Sequence, residues 1–544
     1  MRMSFSPAVV EVLVLDVLSA NSAVTFSPTS VRPERIGLGQ VPRAGYQRNH
    51  QSISRPATER VKFALILKRP QSMPPLQKPP SRGAPQATAC ASTEKKPRPK
   101  YLSRLLLFVL INGLVLNPTL SILNSVVIDH HKLPSVSEIR QAIASNLSDL
   151  SPLTLLGNFD DDSLGAMLPA LRSFAANPNI SPYQAVFFRD NVKFQYPLTS
   201  LLPLYLLQHF GVGEDDLSLI FNAACCLALL GILILSIGIA LRLIDSRQPN
   251  AKCWRTRAIV SITVAAACLL FYPIMHGFFL GQIQTIVTFG FTAAFYCWIS
   301  GREKTSGAII GLMALIKPQY ALFLLWAAMR KKFGASASGL AAILAGVLAS
   351  CFIFGFHNNI DYLNVLHFIG THGESYATNQ SMNGLLNRLL FNGSNLVWNE
   401  NAFAPFNPTV YAGTILSFLA LVSLCLFFPW GPHRKSRAAD FACCLLVATM
   451  ASPVAWEHHY GILVPIFIWL CFAQSASPAP RSGVLLLATA YIFTSNHITL
   501  FDSLAPIPIL NILQSYLFFG ALLVLILLLK SPEVPALAPR PADA

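Results

Sequence analysis

Residues 307–326 read GAIIGLMALIKPQYALFLLW. The run is apolar enough for a membrane, yet Lys317 and Pro318 stand at its centre. Gly301-Arg302-Glu303-Lys304 precedes it and Arg330-Lys331-Lys332 follows it. Basic clusters beside membrane segments favour the cytoplasmic side, so both ends of this run belong on the same side. Proline removes a backbone donor and breaks a helix. The two facts together predict a re-entrant pair of half-helices with Lys317 at the tip, rather than one kinked crossing. Broken backbone at that depth is tolerated only against protein or a watery cavity.

The rest of the chain sets the context. Of its 544 residues, 53% are hydrophobic and 12% charged, with mean hydropathy +0.50. Soluble domains carry about a quarter charged residues. Apolar runs of membrane-crossing length recur from about residue 104 to 529. The class is therefore an all-α polytopic membrane protein; the alternating pattern of an outer-membrane barrel is missing. Residues 1–100 hold 16 Lys+Arg against 5 Asp+Glu, which is +11 of the formal +15. The basic balance is thus a property of the tail, and no basic face interleaved with aromatics points to nucleic acid. Nine of the eleven cysteines lie in apolar spans, with no CxxC pair, so neither a disulfide framework nor a zinc site is expected.

Residues 1–100 read as a disordered basic cytoplasmic tail. VVEVLVLDVL (9–18) is a poor signal peptide, and Met73 is an alternative start. EKKPRPKYLSR (94–104) places the start of a first span, about 104–123, in the cytoplasm. An outer loop near 124–196 follows. The proline-broken piece 196–212 reads as an interfacial helix, because a crossing there would put the five basic residues of 241–257 outside. Further spans near 216–243, 258–276, 282–300, 336–356, 410–430, 438–455, 460–474, 484–500 and 507–529 give about ten crossings, with a second outer loop near 357–409. Residues 101–530 form one transmembrane domain, and 531–544 a cytoplasmic tail. Both termini are then cytoplasmic, in a bacterial inner membrane.

A lysine at mid-membrane depth is a functional candidate by default, and a buried cation open to an outer cavity suits an anion such as a lipid phosphate. The first outer loop holds Asp160, Asp161 and Asp162 just before a helix-like stretch. Three readings stay open for them: N-capping of that helix, a general base for a hydroxyl, or a divalent-cation site, the last without further acids nearby. Other polar clusters fall at outer ends of spans: Gln282 and Gln284; Asn379, Gln380, Ser381, Asn383 and Arg388; Trp456, Glu457, His458 and His459. Aromatics with amides and acids suit a sugar, although Trp and Tyr also populate membrane interfaces for lipid reasons. His458 and His459 point about 100° apart on a helix, so one metal ion is not expected to take both. Gly307 and Gly311 read as close helix packing. No P-loop, GxGxxG, GxSxG or HExxH stands in a fitting context, so no soluble nucleotide cofactor is expected.

The set GQIQT (281–285), GLMALIKPQYALFLL (311–325), NQSMNGLLNRL (379–389) and SPVAWEHHY (452–460) resembles glycosyltransferase family 87. This is a GT-C-type integral-membrane family related to polyprenyl-phosphate-mannose-dependent α-mannosyltransferases. Order and spacing agree over about residues 100–530. Tyr196-Pro197-Leu198 stands where the family has a YPP-like motif, Gln284 where asparagine is common, and an aspartate cluster where a lone acid is usual. The resemblance implies a hexose donor, mannose in the family, carried on a polyprenyl phosphate. It also implies inverting transfer on the outer face to a glycan or lipid acceptor, with an aspartate of the first outer loop as base. Asp162 is first choice for the base, then Asp161 and Asp160. Lys317, with Lys193 and Arg388, is expected at the donor phosphate. Tyr196, Gln282, Gln380, Asn383, Trp456, Glu457 and His458 are expected at the sugar or acceptor, and no cofactor is expected beyond a conceivable cation at the aspartates. A secondary transporter or lipid flippase is the alternative, since broken helices with a midplane lysine also suit one; no internal repeat supports it.

Overall fold

The computed structural model describes residues 99–120, 123, 161–247, 253–428, 437–474 and 481–531. The basic tail, Asp160 and the loop from 124 to 160 lie outside the described residues. Among the described residues the chain is helical without strands; Asn379 and Trp456 form an isolated antiparallel bridge. Five helices are long and apolar enough to cross a membrane: Ser103–Leu120, Glu214–Ser246, Phe333–Phe354, Pro408–Phe427 and Leu510–Leu529. Four shorter apolar helices, Gln284–Ile299, Ala438–Met450, Glu457–Phe472 and Ser482–Ser495, lie between them in sequence.

The expected straight span at 258–276 is instead two helices. Trp254–Leu269 and Tyr272–Phe279 meet at a 56° bend. Phe271 is extended and Pro273 opens the second helix, where its missing N–H is harmless. The bend turns Tyr272–Phe279 toward the polar groups described below.

The opening stretch folds as its charges predict. Glu303–Ala314 rises, Lys317 is extended, Pro318–Ala321 makes a 3-10 turn and Leu322–Met329 returns. Helices of 12 and 8 residues reach about 18 and 12 Å, short of the roughly 30 Å hydrocarbon core. The two ends are tied together: Lys332 Nζ lies 2.6 Å from Glu303 Oε1, and Ser338 Oγ donates to the Lys304 carbonyl at 2.7 Å. Arg330 is held by Asp440 at 2.7 Å and by the Leu426 carbonyl at 3.0 Å. Phe333–Phe354 packs along the hairpin. A Cβ on Gly307 would strike the Ala335 carbonyl, and one on Gly311 the Gly339 carbonyl, so the GxxxG is a close helix contact.

At the tip, Thr199 Oγ1 donates to the Leu315 carbonyl and Tyr320 OH meets Thr449 Oγ1 at 3.2 Å. Leu202–His209, in the proline-broken piece, has eight residues and is too short to cross. Of the two loops expected to be outer, the second (357–409) is itself helical, with Tyr362–His372 and Met382–Leu389. Lys193 fastens it to the first: its ammonium sits 2.6 Å from Glu374, over the rings of Trp398 (3.8 Å) and Phe403 (4.5 Å). Burial pulls this ammonium below the ordinary lysine range, with Glu374 pulling the other way.

Candidate active site

The GQIQT turn docks on Asp162 and Ser163. Gly281 takes φ +59, a left-handed conformation easy only for glycine, and this lets the chain turn directly from Tyr272–Phe279 into Gln284–Ile299. Asp162 N donates to the Leu280 carbonyl at 3.2 Å, and Ile283 N to Ser163 Oγ at 2.9 Å. Ser163 Oγ and Tyr196 OH both bond Gln282 Oε1, at 3.1 and 3.3 Å. With its oxygen so occupied, the Gln282 amide turns its NH2 onto Asp162 Oδ2.

Asp162 is the first residue of helix Asp162–Ala176 and is exposed. Asp161, also exposed, sits at the cap position, but its carboxylate makes no capping bond; its carbonyl accepts from Gly165 N at 2.5 Å. The carboxylate that Gln282 orients is therefore Asp162.

Lys317 is buried at the hairpin tip, 9% exposed, within electrostatic reach of Asp162. Its Nζ meets His459 Nε2. With Lys317 as the ammonium, which has no acceptor, that imidazole nitrogen accepts and the ring carries its proton on Nδ1. His459 Nδ1 and His458 Nε2 are buried without a hydrogen-bond partner. His458 packs on Gly277, with a Cβ there only 3.0 Å from the His458 Cβ. His276 lies 6.2 Å from His458, ring centre to ring centre, and stacks on Tyr272 at 4.9 Å.

Tyr272 leads to Glu457. The carboxylate accepts from Tyr272 OH at 3.1 Å and Tyr516 OH at 3.2 Å, with His497 Nδ1 at 3.7 Å. Glu457 N donates to the Thr378 carbonyl at 3.1 Å, beside the Asn379–Trp456 bridge. Burial works against the His497 cation, but the Glu457 carboxylate prevails and holds its pKa above the imidazole norm. Burial pushes the Asp502 carboxyl up, against the Gln514 amide that donates to it at 3.0 Å.

Four expected site residues are engaged by the protein itself. Gln380 Nε2 donates to the carbonyls of Gln514 (2.7 Å) and Ala377 (2.8 Å), and its Oε1 accepts from Phe518 N at 3.2 Å. Asn383 spans Glu374 N (3.1 Å) and Thr414 Oγ1 (3.1 Å). Arg388 donates to the Asn379 carbonyl at 3.0 Å and Ser515 Oγ at 2.6 Å. Lys193 is paired with Glu374, as above. They knit the 357–409 segment to its neighbours. Sequence reading passed over Ser163, Tyr272, His276, His497 and Tyr516, because single polar residues in apolar runs carry no pattern. Their one signal is that a polar side chain in such a run is rare without a role. Among the described residues no group of three or more His, Cys, Asp or Glu is arranged to hold a metal ion.

The model of glycosyltransferase family 87 matches residues 194–453. The polyprenol-phosphate-mannose-dependent alpha-(1-2)-phosphatidylinositol pentamannoside mannosyltransferase of Mycobacterium tuberculosis is 26% identical over 200 residues, 36% of this chain and 42% of that one. The alpha-(1-2)-phosphatidylinositol mannoside mannosyltransferase of the same species, also polyprenol-phosphate-mannose-dependent, is 25% identical over 230 residues, 41% of this chain and 48% of that one. The counterpart of the first in Mycolicibacterium smegmatis is 27% identical over 202 residues, 36% and 45%. The chain spans just under half the length of these curated relatives. No solved structure matches it. Residues 194–453, which carry Gln282, Lys317 and the hairpin, belong to glycosyltransferase family 87.

Proposed function

We propose that this chain is a membrane hexosyltransferase that moves a mannosyl unit from a polyprenyl-phosphate donor to a hydroxyl of a membrane glycolipid. The reaction is on the outer face and inverts the anomeric centre. The observation that carries this reading is the pairing of an exposed, amide-held carboxylate, Asp162, with a buried cation, Lys317, across one small site. Asp162 takes the proton of the acceptor hydroxyl as its oxygen attacks the anomeric carbon. The bond from that carbon to the phosphate oxygen breaks, and polyprenyl phosphate leaves with the electron pair. Lys317 stabilises the charge that grows on the leaving phosphate; such preorganised groups are worth about 10²–10³ in rate. His459, accepting from Lys317, aims the ammonium. One displacement at carbon inverts its configuration.

The relatives are named for polyprenol-phosphate-mannose as donor and for phosphatidylinositol mannosides as acceptors, which supports mannose and a glycolipid here. The outer-face assignment is supported by charge: the basic ends of the hairpin lie together at its base, and Lys317 lies at the opposite end. The test is transfer of labelled mannose from a polyprenyl-phosphate donor in membranes holding wild type or Asp162→Asn. Wild-type transfer reduced about 10²-fold or more in the variant agrees with a general base. Equal rates, or no transfer by wild type, overturn the reading.

A further inference from the structure

Three consecutive residues, Glu457, His458 and His459, touch three different parts of the site. Glu457 is buried, and its two oxygens accept from Tyr272 OH at 3.1 Å and Tyr516 OH at 3.2 Å. His458 lies against Gly277, where an added Cβ would stand 3.0 Å from the His458 Cβ. His459 Nε2 meets Lys317 Nζ. The three open the 3-10 turn Glu457–Ile462, and a Cβ on its Gly461 would stand 3.2 Å from Ile274 Cγ1. The turn thus lies along helix Tyr272–Phe279, in contact with it at Tyr272, Ile274 and Gly277.

The far end of the same helix carries the fixture of the base. Leu280 N donates to the His276 carbonyl at 3.0 Å, and Gln282 N to the Gly277 carbonyl at 2.9 Å. Those bonds make Gln282 an extension of the helix. From there the Leu280 carbonyl accepts Asp162 N at 3.2 Å, and the Gln282 amide holds the Asp162 carboxylate. One unbroken path of contacts therefore runs from Lys317 through His459, the turn and the helix to Gln282 and Asp162. Close-packed interiors transmit displacement along such a path.

A buried carboxylate is costly, and an apolar residue of similar size often serves stability better. What a fully satisfied buried network adds is a single fixed arrangement. Resting on the proposed mannosyl transfer, we propose that Glu457 is a positioning residue: through Tyr272 it seats helix Tyr272–Phe279 on the 457–462 turn, and so sets the spacing of Asp162 from Lys317. This assigns Glu457 to the frame of the site rather than to the sugar. The acceptor hydroxyl and the leaving phosphate must fit between base and cation, and a misplacement of about 1 Å costs about 10²-fold in rate.

The test is a double-variant cycle on labelled-mannose transfer from polyprenyl-phosphate-mannose to octyl α-mannoside, with kcat, acceptor KM and melting temperature in detergent measured for each protein. Glu457→Gln keeps the shape but offers one acceptor oxygen, so one tyrosine loses its partner. It should lower kcat about tenfold and leave acceptor KM within about twofold of wild type. Combined with Gln282→Leu, its loss should fall short of the roughly 100-fold that independent sites give. If Glu457→Gln does not fold, Tyr272→Phe decides by the same cycle; it keeps the ring stacked between His276 and His497 and removes only the hydroxyl. Additive losses overturn the proposal. So does a raised acceptor KM at unchanged kcat, which would place Glu457 on the sugar, or a lowered melting temperature at unchanged kcat, which would make it structural only; both leave the transferase reading intact. Wild type that transfers no mannose overturns that reading, and this proposal with it.

Discussion

Gln282 donates its side-chain amide to Asp162 while its own oxygen is held by Ser163 and Tyr196. A residue expected to bind sugar is thus the fixture that orients the proposed base. Gln282→Leu should lower the transfer rate about tenfold, chiefly in kcat, by removing one hydrogen bond to a charged group. Gln282→Glu places a second carboxylate against Asp162. Two like charges resist ionising together, so the acid limb of the pH–rate profile should move to higher pH. Initial rates against pH check both, and a profile unmoved in Gln282→Glu would contradict the contact.

Lys317→Met separates a functional lysine from a structural one. The ammonium is buried and faces an imidazole, not a carboxylate bonded to it. Removing a charge that is expensive to bury should leave the melting temperature in detergent at or above the wild-type value. Transfer should fall about 10²–10³-fold. A variant that melts well below wild type yet keeps its specific activity points to a packing role instead.

Gly307→Val and Gly311→Val should each destabilise the protein by about 1–3 kcal/mol, because added side chains meet the backbone of Ala335 and Gly339 rather than a movable side chain. Lys332→Ala, at the partly exposed clasp with Glu303, should shift stability by about 1 kcal/mol or less. Melting in detergent measures the contrast; equal losses would mean that the hairpin is held by its charges and not by its glycines.

Glu374→Gln leaves the Lys193 ammonium buried among aromatic rings without its counter-charge. The loss should be about 3–5 kcal/mol, and adding Lys193→Met should recover part of it. Proteolysis of the 357–409 loop, slow in wild type, should be fast in the single variant and slower again in the double. A double variant cleaved as fast as the single would show that the pair is not what fastens the two loops.

The sequence by itself determined the all-α membrane class and the hairpin with Lys317 at its tip. These follow from where charge and proline sit along an apolar chain, since partition between lipid and water is set residue by residue. Only the tertiary structure decided which polar side chains share a site. Gln282 and Gln380 look alike in sequence, each an amide in a short polar motif; one faces Asp162, the other is closed on backbone at Ala377, Gln514 and Phe518. Tyr272 and His276 lie on a helix turned by the 56° bend, and His497 and Tyr516 reach Glu457 from the far end of the chain. A hydrogen bond needs two partners within about 3 Å. That condition depends on packing between segments 40 to 138 residues apart, which no local pattern records.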